Sequence, residues 1–146
     1  MAYLSTLTSS IIRAMQDIGM RAEREYHNKP VDHYGSTTFA TVALERLIYG
    51  KPLPHSEGTV FPLTATIRVR LYCPTEYHTG LLETQCDLYL IPALLNAQLD
   101  LRKIITEPPF FDAKIGMLCM PVHITADTLA TRTWIETDTE TEADQP

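Results

Sequence analysis

Strict alternation of side-chain type over residues 59–73 constrains the fold of this chain more than any other feature. Apolar side chains occupy the odd positions from Phe61 to Cys73, whereas the even positions from 64 to 72 hold Thr, Arg and Tyr. Because successive side chains of a β-strand point to opposite faces of a sheet, the pattern predicts one long strand with a single buried face. A strand of this length often extends beyond its own sheet or pairs with another chain.

Two amphipathic helices are predicted on either side of this strand. Apolar residues recur at steps of three and four near the N-terminus, which predicts a helix over about Ser5–Tyr26. A second helix is predicted over about Leu81–Gln98. Pro92 lies inside the second helix, and a proline there removes a hydrogen bond and clashes with the preceding turn. We therefore expect a kink or break near Tyr89.

Three further strands complete the predicted order α-β-β-α-β-β. They cover Thr37–Tyr49, about Lys103–Asp112, and a last segment that starts at Ile115 and is interrupted at Ala126–Asp127. Because Pro121 has no N–H group for a ladder, the last strand is expected to lie at an edge or to bulge there. Hairpins on either side of a helix predict an α+β domain of two layers, with both helices on one face of a mostly antiparallel sheet and a long projecting hairpin.

The net negative charge of the chain comes mainly from its C-terminal segment. Twelve Lys and Arg residues stand against eighteen Asp and Glu residues, for a formal net charge of −6. The segment 136–146 is rich in acidic residues and contains no basic one. We predict a single α+β domain over residues 1–135 and a disordered acidic tail over residues 136–146. The overall balance argues against a broad nucleic-acid-binding surface, and no apolar run is long enough to cross a membrane.

No residue pattern typical of catalysis or of cofactor binding is present. The histidines and cysteines form neither an HExxH nor a CxxC spacing, no GxSxG elbow occurs, and the glycines are too scattered for a phosphate-binding loop. Cys119 and His123 share one face of a predicted strand, but any strand places residues at that spacing on one face. We therefore expect no enzyme activity, no metal and no cofactor.

Two features indicate possible contacts with another subunit. Gly50–Gly58 is predicted to be a long exposed loop, and such a loop on a long hairpin is a typical arm for contacting a neighbour. Two arginines project from the polar face of the long strand, where they either face solvent or form salt bridges between subunits. The candidate interface residues are Lys51, Leu53, His55, Glu57, Arg68 and Arg70.

The layout of the chain also resembles that of a known family. A helix around Ile11–Met15 is followed by the strand Phe39–Glu45, a long loop and the long strand Leu63–Pro74; the helix Leu88–Leu95 and two strands then follow. In this order, over about Ser5–Trp134, the chain resembles the tail terminator, or tail completion, proteins of long-tailed phages and phage-like tails. The end of the last strand and the acidic tail depart from the compact family pattern.

The resemblance implies a structural role in a virion. Such proteins form a ring, expected to be hexameric, on the end of the assembled tail tube, where the ring stops tube polymerisation and offers the surface for head joining. The implied partners are further copies of the chain, the tail tube protein and a neck or connector protein. DNA would pass through the pore without specific binding. The implied location is the host cytoplasm during assembly and then the virion tail.

Two alternative functions stay open at this point. A head–tail connector or neck protein of the same particle would share a small α+β design. A small-molecule-binding or catalytic α+β domain would instead have a pocket between the helices and the sheet, near Tyr72, Tyr77 and His78.

Overall fold

The computed structural model describes residues 2–25, 38–54, 60–77, 80–97 and 99–131. An N-terminal helix, α1, begins the chain, and a second helical segment separates the first three strands from the last three. The helical elements are α1 (Ala2–Asp17), α2 (Gly80–Gln85), a π-helical turn (Cys86–Leu90) and α3 (Ile91–Asn96). The strands are β1 (Arg21–Arg24), β2 (Phe39–Tyr49), β3 (Val60–Pro74), β4 (Asp100–Thr106), β5 (Phe110–Asp112) and β6 (Met117–Thr131).

The described strands form one sheet in the order β1-β2-β3-β6-β4, and β5 pairs with β6 beyond the end of β4. The pairings are antiparallel except for β1, which runs parallel to β2. Apolar side chains of α1, α2 and α3 pack with those of the strands in one core, so the helices cover a single face of the sheet. The predicted α+β class with two layers is confirmed.

The long strand predicted from the alternating pattern is β3. Its odd residues Ala65, Ile67, Val69 and Leu71 are fully buried in the core, and its even residues Thr64 to Arg70 are only half-buried. Each Val, Leu or Ile side chain removed from water in this way stabilises the fold by about 1.5–3 kcal/mol before the entropy of ordering is counted. This strand pairs along its whole length with β6 and along most of it with β2, which places it at the centre of the sheet.

The first helix is shorter than the sequence pattern predicts, and its predicted extension to Tyr26 is wrong. The N–H of Met20 donates to the carbonyl of Met15 and that of Gly19 donates to the carbonyl of Gln16, both at 3.0 Å. This pair of bonds is the Schellman motif that ends helices, and it requires a left-handed residue, which Gly19 supplies at φ +92°. The chain then turns into β1, where Ala22 is buried as predicted but lies on a strand.

The predicted break in the second helix is confirmed. A π-helical turn over Cys86–Leu90 lies directly before Pro92, and the N–H of Ile91 donates to the carbonyl of Cys86. Because Pro92 has no N–H and its ring crowds the preceding turn, the helix widens there, and the α-helical pattern resumes at Ile91.

The closing strands differ from the prediction in three respects. The segment predicted as one strand over about Lys103–Asp112 is divided into β4 and β5 by Glu107–Pro109, which belong to neither strand. The last strand, β6, runs without interruption through Ala126–Asp127, and it is an internal strand rather than an edge. Pro121 is accommodated because it faces the interval between β4 and β5, where its carbonyl accepts the N–H of Glu107 at 2.9 Å. The predicted acidic tail lies outside the described residues.

Candidate functional site

The face of the sheet opposite the helices, which we call the open face, carries most of the polar groups of the long strands. Thr64, Thr66, Arg68 and Arg70 of β3 lie on it, and the register places His123 of β6 directly beside Arg68. Glu25 follows β1 and is held at the edge of this face because its N–H donates to the carbonyl of Val42 at 2.9 Å. The open face therefore brings together charged residues that are distant in sequence.

Arg68 and Arg70 share one carboxylate. Arg68 Nη2 donates to Glu25 Oε2 at 2.7 Å, and Arg70 Nη1 donates to Glu25 Oε1. The Glu25 side chain is only 9% exposed, so this is a largely desolvated pairing in which each oxygen has its own guanidinium. The prediction that both arginines project from one face is confirmed. The ionic partner that both arginines share is Glu25 of the same chain. A salt bridge from these arginines to another subunit stays a prediction.

His123 lies between two other carboxylates. Its Nδ1 lies 3.0 Å from Glu45 Oε2, and its Nε2 lies 2.5 Å from Glu107 Oε2. The hydrogen bond to Glu107 raises the pKa of His123 above its ordinary value; partial burial opposes this, and Glu45 adds to the increase. Glu45 reaches the histidine across β3 from an irregularity in the β2–β3 register between Leu44 and Arg46.

The arginine pair with Glu25 and the contacts of His123 are joined by a longer contact, 3.7 Å between Arg68 Nη1 and Glu45 Oε1. The result is one continuous series of charged contacts that crosses the sheet from the end of β1 to the end of β4, which we call the ion-pair chain. Its members are Arg70, Glu25, Arg68, Glu45, His123 and Glu107. The alternating pattern of β3 points to both arginines, but no sequence pattern points to the three glutamates. Only the strand register and the irregularity in β2 bring them together.

An apolar cluster lies at one end of the open face. Phe39 and Tyr72 stack with ring centroids 4.8 Å apart and an interplanar angle of 15°, and they pack with Met117 and Cys119. Burial raises the pKa of Tyr72 above its ordinary value and raises that of Cys119 to about 12. Cys119 is therefore a protonated, enclosed thiol, and Tyr72 does not line an open pocket. Tyr77 is exposed, and His78 lies outside the described residues.

The opposite end of the sheet consists of three strands that continue beyond β4. We define the arm as Arg46–Tyr49 of β2, Val60–Leu63 of β3 and 128–131 of β6, since the pairing of β4 with β6 stops at Asp127. The arm exposes large apolar side chains: Ile48 is 53% exposed, Tyr49 51% and Leu129 48%. Exposed apolar groups at one end of a sheet are a candidate contact surface.

The predicted loop residues lie next to the arm. Lys51 is exposed, and Leu53 is half-buried, with its N–H donating to the carbonyl of Val60 at 2.8 Å. His55 and Glu57 lie outside the described residues. The structure therefore places Lys51 and Leu53 at the arm and brings Arg68 and Arg70 together elsewhere, in the ion-pair chain.

Within the described residues, no group of three or more His, Cys, Asp and Glu side chains is arranged to hold a metal ion. Cys73, Cys86 and Cys119 are buried free thiols, and burial raises the pKa of each. No helix in the described part of the chain is both long and apolar enough to cross a membrane. No known family model matches the sequence, and no curated protein matches it. A function must therefore be inferred from the surfaces described above.

Proposed function

We propose that this chain is a structural virion protein, a tail terminator that closes into a ring on the end of a tail tube and ends its polymerisation. The arm is the observation that carries this proposal. The proposal combines that surface with the family resemblance of the element order. In the assembled ring, the arm of each copy would contact the next copy, and the ring would cover the tube edge that otherwise receives another subunit.

The arm suits this role because it exposes apolar groups on both faces. Ile48 and Leu129 lie on the open face, while Tyr49 lies on the opposite face in edge-to-face contact with Phe61, at 6.5 Å between ring centroids. Aromatic and aliphatic groups of this kind form the desolvated centres of protein interfaces. A head-to-tail contact in a ring uses two different surfaces of each subunit, so a projecting arm with two apolar faces is well suited to it.

The ion pairs of Arg68 and Arg70 help to choose which of the predicted interface residues contact a neighbouring subunit in the proposed ring. The carboxylates that neutralise Arg68 and Arg70 come from the same subunit. Lys51 and Leu53 lie next to the apolar side chains of the arm. Within the proposal, we therefore assign the intersubunit contacts to the arm and its loop rather than to the two arginines.

The first experiment images the purified protein by negative stain over a concentration series, alone and with tail tubes. We expect closed rings with a central hole, at least on tube ends. In the variant with Ile48→Ser and Leu129→Ser, rings should disappear while the subunit stays folded. The matched control changes Leu88 and Leu95 to Ser, because these leucines are even more exposed and lie on the helical side of the molecule. Rings that survive the arm variant but not the control would contradict the assignment to the arm.

Particles assembled without the protein separate a terminator from a connector. Overlong tails are expected if the chain ends tube polymerisation. Tails of normal length that lack heads would instead identify a connector or neck protein. Normal particles, together with stabilisation by a small metabolite in a thermal-shift screen, would contradict both structural roles and favour the small-molecule-binding alternative.

A further inference from the structure

His123 makes an arrangement that the proposed function does not use. Both of its ring nitrogens face carboxylate oxygens, Glu45 at Nδ1 and Glu107 at Nε2. An ionised carboxylate can only accept hydrogen bonds, and a neutral imidazole has only one N–H to donate. Both contacts can therefore be hydrogen bonds to ionised carboxylates only when His123 is an imidazolium.

The charges around His123 agree with this protonation state. With a neutral histidine, the ion-pair chain would hold three carboxylates against two guanidinium groups, whereas an imidazolium balances it. Besides these two guanidinium groups, which belong to Arg68 and Arg70 of β3, the open face carries Arg46 on β2, Lys103 on β4 and Asp127 on β6. Asp127 has its own partners, Arg102 and Thr64. The two carboxylates in direct contact with the ring are the charged groups that favour its imidazolium form.

Glu107 lies where the segment between β4 and β5 has few hydrogen bonds to β6. It begins the segment between β4 and β5, and this segment faces Pro121, which offers no N–H to bind it. The backbone of Glu107 contributes one hydrogen bond to β6, from its N–H to the Pro121 carbonyl. The side-chain contact with His123 is a second attachment of the same residue to β6. The short strand β5 follows, with Phe110 and Phe111 about half exposed.

We infer that His123 is a pH-dependent link between the sheet and the β4–β5 segment. As an imidazolium it holds this segment on the sheet through Glu107, and on deprotonation it releases the Glu107 carboxylate. Glu107 is the partner released because its side chain is 52% exposed and water can replace the histidine. Glu45 is less exposed and also contacts Arg68. The neutral ring is therefore expected to keep its proton on Nδ1, facing Glu45. This inference is independent of the proposed ring.

The test is a histidine titration by ¹⁵N and ¹H NMR on the full-length chain, with the His123→Gln variant identifying the His123 signals. We expect both ring nitrogens to be protonated near about pH 6 and the pKa to lie above the ordinary value of about 6.5. Glu107→Gln should lower that pKa, because a neutral amide replaces the negatively charged carboxylate that lies beside His123 Nε2. Glu76→Gln, at an exposed glutamate in the turn after β3, is the matched control and should leave it unchanged. A wild-type His123 that titrates at or below its ordinary pKa would overturn the inference.

Release of the segment is measured separately by amide hydrogen exchange at Phe110 and Phe111. After correction for the intrinsic pH dependence of exchange, protection should fall in the wild type as pH rises through the His123 pKa. In Glu107→Ala, which removes the hydrogen-bonding group at His123 Nε2 altogether, the protection should already be low at low pH and should not change across that range. If protection in the wild type does not change as His123 titrates, His123 does not hold β5 in place, and the inference is wrong even if the pKa is raised. If His123→Gln does not fold, the Glu107 variants still decide the question, since the Glu107 side chain is exposed.

Discussion

The two faces of the sheet are stabilised in different ways although they alternate along the same strands. On the helix-covered face, Ile67 and Leu71 are fully buried among apolar neighbours from helices and strands. On the open face, Arg68 and Arg70 lie between them in sequence and form ion pairs with Glu25. Apolar burial is non-directional and depends on area, whereas the charged contacts depend on the position of single atoms. The covered face therefore supplies stability, and the open face supplies specific links between distant strands.

The largest effect is expected on the covered face. Leu71→Ala should lower the free energy of unfolding by about 2–5 kcal/mol, because it removes buried methyl groups and leaves a cavity in a core that relaxes only partly. Thr66→Val, on the open face of the same strand, keeps the shape of the side chain and should change stability by less than about 0.5 kcal/mol. Urea unfolding of both variants checks the difference. Equal losses in the free energy of unfolding would mean that the helix-covered face does not supply more stability than the open face.

The second effect concerns the most buried carboxylate of the open face. Glu25→Gln removes the negative charge that Arg68 and Arg70 share, leaves Arg68 only its longer contact with Glu45, and should cost about 2 kcal/mol, the range of a hydrogen bond to a charged group. The control Glu83→Gln, on the exposed surface of α2, should be neutral within about 0.5 kcal/mol. Urea unfolding again provides the measurement. A neutral Glu25→Gln would show that the paired charges only offset their own desolvation.

The same difference explains what the sequence could and could not predict. The period of two in β3 and the position of Pro92 are local signals, and they correctly predicted a long strand with one buried face and an irregularity of the second helix near Tyr89. The end of α1 was wrong because Ala22 fits a helical stripe and a buried strand position equally well, and Gly19 was not recognised as the end of the helix. The partners of Arg68 and Arg70 depend on register between strands far apart in sequence. No local pattern in the sequence encodes that register.

The third effect tests the pH dependence of the open face. Because the folded protein raises the pKa of His123, the stabilisation by its imidazolium is fully present below the unfolded value of about 6.5 and is lost as pH rises through the folded pKa. Wild-type stability, measured by urea unfolding, should therefore fall relative to His123→Gln as pH rises above about 6.5 and through the folded pKa. A difference between the two proteins that does not change with pH would contradict this linkage.

The smallest effect is expected at an exposed ion pair of the open face, Arg102 Nε to Asp127 Oδ2 at 3.4 Å. Both side chains are largely in water, and Thr64 also donates to Asp127 Oδ1 at 2.9 Å, so the carboxylate stays positioned without the arginine. Arg102→Gln should therefore cost less than about 0.5 kcal/mol at low salt and nothing measurable at about 1 M salt. The loss in Glu25→Gln should persist at that salt concentration, because its groups are largely shielded from solvent. If both losses disappeared together in high salt, the pairs of Glu25 would also be a screened surface feature, and the distinction between these largely desolvated pairs and the exposed Arg102–Asp127 pair would fail.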